Sequence, residues 1–240
     1  MTVSMFGPVG DSPAETAGSW AVLRSLGEAA TLTQRPGDAP RARLLRICEV
    51  VGPALILGST QPEADVDGEA AARLGLAVCR RASGGGAVIV RPGSQLWLDA
   101  FLPAGDRLLV ADVGTAFLWL GEAVGAAIGM VTRAPVEVHP GPPVKTRWSS
   151  KLCFSGLGPG EIRVAGRKVF GVSQRRGRSG AWFYGMTLCR FDSRELAEAM
   201  ALGEADRAAA AADLAASAGA LECEPAELEG AVLQAFADLA

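Results

Sequence analysis

The chain reads as an α+β fold, with strands crowding the middle and helices the end. Three observations carry that reading. Short apolar or alternating runs bounded by Gly and Pro fill residues 44–102 and 162–191. After Ser193 the character changes to alanine-rich segments with apolar residues at helical spacing. The glycine run at 84–86 lacks both the GxGxxG spacing with a later acidic residue and a following Gly-Lys-Ser/Thr. A doubly wound dinucleotide or P-loop sheet is therefore disfavoured against an α+β layer structure.

In chain order, residues 1–18 are rich in Gly, Pro, Ser and Ala and are expected to be a flexible N-terminal segment. Trp20, Leu23 and Leu26 predict a helix over 19–30, followed by a loop from Thr33 to Arg41. Leu44–Val51 and Ala54–Leu57 read as strands around Gly52-Pro53, and Glu63–Leu74 as a helix ending at Gly75. Strands at 76–79 and 86–90 bracket the glycine run. Leu96, Leu98, Ala100 and Leu102 alternate with Trp97, Asp99 and Phe101, a period of two that predicts another strand.

Asp112 is placed to cap a helix carrying Val113, Phe117, Leu120, Val124 and Ile128 on one face. A strand over 131–138 and a proline-rich loop to Ser150 follow. Ile162–Val164 and Lys168–Ser173 form a hairpin through Ala165-Gly166-Arg167, and 181–191 a further strand. Helices are expected over 196–202, 206–217 and 226–239, the last with Pro225 in its first turn and Leu228, Val232, Phe236 and Leu239 on one face. The expected organisation is a catalytic domain over 19–202 with a C-terminal helical extension of the same domain over 203–240.

Composition narrows the function. The 240 residues are 49% hydrophobic, enough for one large core or two small ones. A net charge of −3 gives no basic field for nucleic acid. No apolar stretch is long enough to span a bilayer, and no basic-then-apolar leader opens the chain. Cys48, Cys79, Cys153, Cys189 and Cys223 are odd in number, widely spaced and without a CxxC pair. These features predict a cytoplasmic protein with reduced thiols and no metal site. His139, the sole histidine, sits among prolines and glycine in a turn and is not assigned a role.

Chemistry concentrates in two segments. Arg80-Arg81-Ala82-Ser83-Gly84-Gly85-Gly86 places two guanidinium groups, a hydroxyl and three glycines between strands. Consecutive glycines weaken a strand, but they serve where the backbone turns sharply or approaches a ligand, so the segment is a candidate anion or acyl-end site. A plain glycine-rich hairpin turn is the alternative. The second segment runs from Cys153-Phe154 through Glu161 to Gly166-Arg167-Lys168-Val169-Phe170-Gly171 and Gln174. Lys168 shares a strand face with Phe170 in this reading, and a partly buried lysine there could polarise an acyl carbonyl or hold a phosphate.

Taken together, the Arg80–Val88 run and the later Gly166-Arg167-Lys168-x-x-Gly171-x-x-Gln174 pattern resemble the lipoate–protein ligase and octanoyltransferase family, which shares its fold with biotin–protein ligases. The resemblance covers about residues 40–200. It implies a mixed, mostly antiparallel central sheet with flanking helices and an apolar tunnel beside the glycine loop. Gly84, Gly85, Gly86 and Gly171 would then lie at the acyl or adenylate site. Arg80 or Arg81 and Ser83 would donate hydrogen bonds there, and Lys168 would polarise the acyl carbonyl. The implied ligands are lipoate or octanoate, and the implied partners are a lipoyl carrier domain and an acyl carrier protein.

Two chemistries occur in that family. Ligases adenylate lipoate with ATP and Mg²⁺. Transferases take octanoate from a carrier thioester without either, one branch through a cysteine. The position of Cys153 resembles that of the nucleophilic cysteine, whereas Ser155-Gly156-Leu157-Gly158 stands where ligases carry Asn-Asp. Val90-Arg91 and Tyr184 stand where members of both branches often carry His-Asp and a further histidine. The thioester route is slightly favoured; the adenylate route and a non-catalytic acyl-binding role stay open, as does an inert Cys153. Arg175, Arg176 and Arg178 make a basic patch that is either a solvated turn or a dock for an acidic carrier.

Overall fold

The computed structural model describes residues 15–34 and 40–239. Two sheets and six helices account for the fold among them. The large sheet has the strand order β1-β2-β3-β7-β11-β10-β9-β8. Its strands are β1 (Glu15–Ala17), β2 (Trp20–Gly27), β3 (Leu44–Val50), β7 (Gln95–Pro103), β8 (Val136–Val138), β9 (Ile162–Val164), β10 (Arg167–Gly177) and β11 (Gly180–Leu188). Every pairing in it is antiparallel except β2 with β3. A small sheet, ordered β5-β4-β6, is built from β4 (Ala54–Leu57), β5 (Ala77–Arg80) and β6 (Val88–Val90).

The helices are α1 (Ala29–Leu32), α2 (Gly68–Arg73), α3 (Leu118–Val131), α4 (Ser193–Glu198), α5 (Glu204–Ser217) and α6 (Pro225–Ala237). The alternation along β7 splits the protein into two cores. Leu96, Leu98, Ala100 and Leu102 face a core with Leu120 and Val124 of α3 and Val232 and Phe236 of α6. Trp97 faces a second core with the small sheet and Leu214 of α5. All of β7 from Gln95 to Leu102 is buried, the mark of a central strand covered on both sides.

Several local expectations differ from the structure. The segment predicted as a helix over 19–30 is strand β2. Its Trp20 and Val22 are buried in alternation, and it pairs in parallel with β3 from Ala21↔Leu44 to Gly27↔Val50. Residues 1–14 of the expected loose segment lie outside the described residues, and 15–17 form edge strand β1. Asp112 does not cap α3; it accepts from the Gly114 N–H at 2.8 Å in the preceding turn, and the helix begins after Phe117. The predicted helix at 63–74 is a 3₁₀ turn, Glu63–Asp65, then α2, restarted by the Asp67 side chain accepting from the Ala70 N–H. The predicted strand over 131–138 shortens to β8 because α3 runs on to Val131.

The β9–β10 hairpin turns at Ala165 and Gly166, both at positive φ, as a two-residue hairpin demands. Its register slips between Lys168 and Phe170. This bulge, rather than simple alternation, sends Phe170 into the α3/α6 core and Lys168 toward the other side of the sheet. Lys168 and Phe170 therefore do not share a face. Among the described residues no helix is long and apolar enough to cross a membrane.

Candidate active site

The glycine segment leaves β5 and returns as β6 over the pocket face of the large sheet. Arg80 is turned away: its guanidinium donates to the carbonyls of Gly58 at 2.9 Å and Gln61 at 2.5 Å, so it braces the loop from behind. Arg81 folds onto its own loop, with Nη2 donating to the Gly84 and Gly86 carbonyls at 2.9 Å each. Ser83 is buried, and its hydroxyl meets that of Ser173 on β10 at 2.9 Å.

The three glycines differ in what requires them. Gly85 has φ +103°, which only glycine adopts without strain. A Cβ on Gly86 would sit 2.5 Å from the Leu152 nitrogen. That approach lets the Ala87 carbonyl accept from the Cys153 N–H at 2.9 Å, so the glycine loop and the Cys153 segment are laced together. Gly84 is exposed, with nothing within 4 Å of the position a Cβ would take.

Cys153 is half-buried and is followed by Phe154 at φ +68°. A bulky aromatic residue in the left-handed region is strained, and such strain collects at functional turns. The turn brings the Phe154 ring 5.2 Å from the Lys168 Nζ. Lys168 is only 5% exposed; its ammonium donates to the Gly156 carbonyl at 3.0 Å and to Glu161 Oε2 at 2.5 Å. Glu161 also accepts from the backbone N–H groups of Gly158 at 2.6 Å and Val172 at 3.4 Å. Gly171 stands beside this pair: a Cβ there would lie 3.5 Å from Lys168 Cε.

These groups converge on one cavity of about 250 Å³. Arg81, Ser83, the three glycines, Cys153, Lys168 and Gly171 all line it, and Arg80 does not. The rest of the wall is largely apolar, including Ile56, Val88, Trp97, Leu152 and Met186, with Leu32 and Thr33 contributed from near the N-terminus. Tyr184 also lines the cavity.

The sequence reading assigned no role to Glu161. It directly precedes β9, and the register shift between Lys168 and Phe170 helps bring it to the lysine, so no contiguous motif marked it. Leu32 and Thr33 carry no local signal, because their place depends on the pairing of β2 with β3.

Of the three arginines on the β10–β11 hairpin, Arg176 donates to the carbonyls of Val110 at 2.7 Å and Ala111 at 3.3 Å. Arg175 donates to the Ala82 carbonyl at 3.1 Å, beside the glycine loop. Arg178 is exposed at the hairpin end.

Known proteins resemble this chain in sequence and in fold. The family described as the lipoyl protein ligase A/B catalytic domain matches residues 26–222. The octanoyltransferase LipM of Moorella thermoacetica is 29% identical over 154 residues, 63% of this chain. The chain spans 55% of that relative's length. In fold, the chain is similar to the bipartite lipoate protein ligase of Thermoplasma acidophilum, at TM-score 0.71 and 16% identity over 93% of this chain and 84% of that one. It is also similar to lipoate-protein ligase A bound with ATP, at TM-score 0.64 and 17% identity over 92% and 84%.

Proposed function

The chain belongs to the lipoyl protein ligase A/B catalytic domain family, and from that membership we propose that it transfers an octanoyl or lipoyl chain to the lysine of a lipoyl carrier domain through a thioester on Cys153. The observation that carries the reading is the meeting of Cys153, the strained Phe154 turn and the buried Lys168–Glu161 pair at one apolar slot. Similarity to an octanoyltransferase supports the thioester route over adenylation. The slot is smaller than the roughly 300–1,000 Å³ of drug-sized pockets, which suits a single medium-length chain. Burying an octanoyl chain in it is worth about 5 kcal/mol at roughly 0.8 kcal/mol per methylene.

In the first half-reaction the Cys153 sulfur attacks the donor thioester carbonyl. A new thioester forms on the protein, the donor carbon–sulfur bond breaks, and the donor thiol leaves with the proton from Cys153. In the second, the carrier lysine amine attacks that carbonyl, the amide forms, and Cys153 is released as a thiol carrying a proton from the amine. The Lys168 ammonium stabilises the oxyanion in both steps, and Glu161 aims it. A nucleophilic thiol needs a reducing compartment, which fits a cytoplasmic location. We read α5 and α6 as an extension of the same catalytic domain, since Leu214 and Phe236 are buried in its cores.

ATP, which the ligase alternative requires together with Mg²⁺, would meet no unengaged guanidinium in the glycine segment. Arg81 already donates to loop carbonyls, and Arg80 lies outside the cavity. The exposed Arg178 and Arg175 would meet an acidic carrier, a lipoyl domain or an acyl carrier protein.

The test is to incubate the protein and an apo lipoyl domain with octanoyl-carrier protein, or with lipoate and ATP, and to weigh the products. Acylation without ATP that vanishes in Cys153→Ala supports the proposal. ATP-dependent lipoylation indifferent to Cys153 would replace it with the ligase reading. No acylation in either mixture would leave an acyl-binding role.

A further inference from the structure

Behind the slot lies a buried charged pair that no step of the transfer uses. Arg46 on β3 and Asp99 on β7 are cross-strand partners, 4% and 1% exposed, with Nη1 and Oδ2 3.6 Å apart. Neither lines the cavity, yet each holds part of its wall. Arg46 Nη2 donates to the Leu32 carbonyl at 2.7 Å and Nη1 to the Gln34 carbonyl at 3.4 Å, gripping the segment whose Leu32 and Thr33 line the slot. Asp99 Oδ1 accepts from the indole Nε1 of Trp97 at 2.9 Å, fixing the ring that forms another wall. Its other oxygen lies 3.9 Å from the Cys48 sulfur.

Stability is a poor account of this arrangement. A buried ion pair is often no more stabilising than well-packed apolar residues of the same volume, because both charges must be stripped of water. What the pair adds is direction: its hydrogen bonds tie together two wall segments that are far apart in sequence. We propose that Arg46 and Asp99 are positioning residues that set the dimensions of the acyl slot and hence its chain-length selectivity. The inference rests on the acyl-transfer reading above. With the pair intact, the Trp97 ring and the Leu32–Gln34 backbone are held at a fixed separation, and a chain that overfills the gap is rejected. In such a slot each fitted methylene is worth about fourfold in affinity. When either partner is lost, the ring and the segment can yield, and longer chains enter.

The experiment measures transfer from hexanoyl, octanoyl, decanoyl and dodecanoyl thioesters by the wild type, Asp99→Asn and Arg46→Lys. Both substitutions keep shape or charge, and folding is checked by circular dichroism. The expected result is a rise of about tenfold or more in the dodecanoyl-to-octanoyl ratio of kcat/KM, carried mainly by KM. Arg46→Lys, which retains the charge, should show the smaller rise. An equal loss at every chain length in folded variants would mean a merely structural role and would overturn the proposal.

Hydrogen exchange supplies a second readout that does not depend on turnover. Amides around residues 32–34 should lose protection in both variants, and unchanged protection would overturn the proposal directly. A wild type that accepts no chain of any length would sink the acyl reading and the selectivity with it. The exchange data would then still report whether the pair holds the wall, so the two failures are told apart.

Discussion

The Lys168 ammonium and the Glu161 carboxylate meet at 2.5 Å, with side chains 7% and 12% exposed. The Glu161 carboxylate also accepts from the backbone N–H groups of Gly158 and Val172, so it joins the loop before the hairpin to strand β10. Lysine and loop are thereby held as one unit.

Breaking this pair is expected to affect stability and rate separately. Glu161→Ala leaves a buried ammonium without its counter-charge and should cost about 3–5 kcal/mol in denaturant melts. Lys168→Met should slow transfer about 10²–10³-fold, as for loss of an oxyanion-stabilising donor. In the double variant Glu161→Gln/Lys168→Met the stability should recover relative to Glu161→Ala, while the rate should not.

Cys153→Ser should leave the fold intact and eliminate the acyl-protein adduct. Mass spectrometry of wild type mixed with octanoyl thioester, before the lipoyl domain is added, should show one octanoyl increment that hydroxylamine removes. Persistence in Cys153→Ser of an increment that neutral hydroxylamine removes, the mark of a thioester, would move the nucleophile to another cysteine.

Gly86 and Gly84 should respond in opposite ways to alanine. Gly86→Ala forces a Cβ to within 2.5–2.6 Å of Leu152 and Lys151 backbone atoms, and overpacking of this kind costs about 1–3 kcal/mol. Gly84→Ala meets nothing within 4 Å and should change stability by less than about 0.5 kcal/mol. Because Gly84 lines the slot, its alanine variant should instead raise KM for the acyl donor. Thermal melts and steady-state kinetics on the pair separate the two effects.

Burial raises the Asp99 carboxyl to about 6, against the opposing pull of Arg46 and the Trp97 N–H. Between the ordinary value near ~4 and this one, the folded chain keeps a proton that the unfolded chain has released. Asp99 therefore makes folding less favourable as pH rises through that window, with the full cost of about 3 kcal/mol reached above it. Asp99→Asn lacks the titration. The wild-type stability relative to Asp99→Asn should accordingly fall by about this amount between pH 4 and pH 7 in chemical denaturation, and a flat difference would contradict the raised value.

Charge reversal at Arg175 and Arg178 should slow acylation of the lipoyl domain more at low salt than at high salt, because screening shortens the reach of exposed charges. Arg176→Glu should also destabilise the protein, since that guanidinium holds the Val110 and Ala111 carbonyls. A transfer rate indifferent to reversal at all three positions would leave the hairpin as a solvated turn.

Local pattern alone specified a good deal. The period-two alternation along residues 96–102 marked a strand, and turn chemistry at Ala165-Gly166 marked the hairpin. The apolar stripe of Leu228, Val232 and Phe236 marked the last helix. In each case neighbours within a few residues carry the conformational preference. The same holds for the candidate residues, because a glycine run and a lysine hairpin are contiguous motifs.

Tertiary structure decided the rest. Trp20, Leu23 and Leu26 suit a helix in isolation; the segment is a strand because it pairs with β3, which begins only at Leu44. A bulge set by strand pairing turned Lys168 away from Phe170. Arg80 and Arg81 look alike in sequence, yet one braces the loop from behind and the other lines the slot. Glu161 became the lysine's partner, and Arg46 and Asp99 became neighbours, through register between strands. Such contacts depend on loop closure and on the burial of charge in a particular place, and these are properties of the assembled chain that no short window of residues contains.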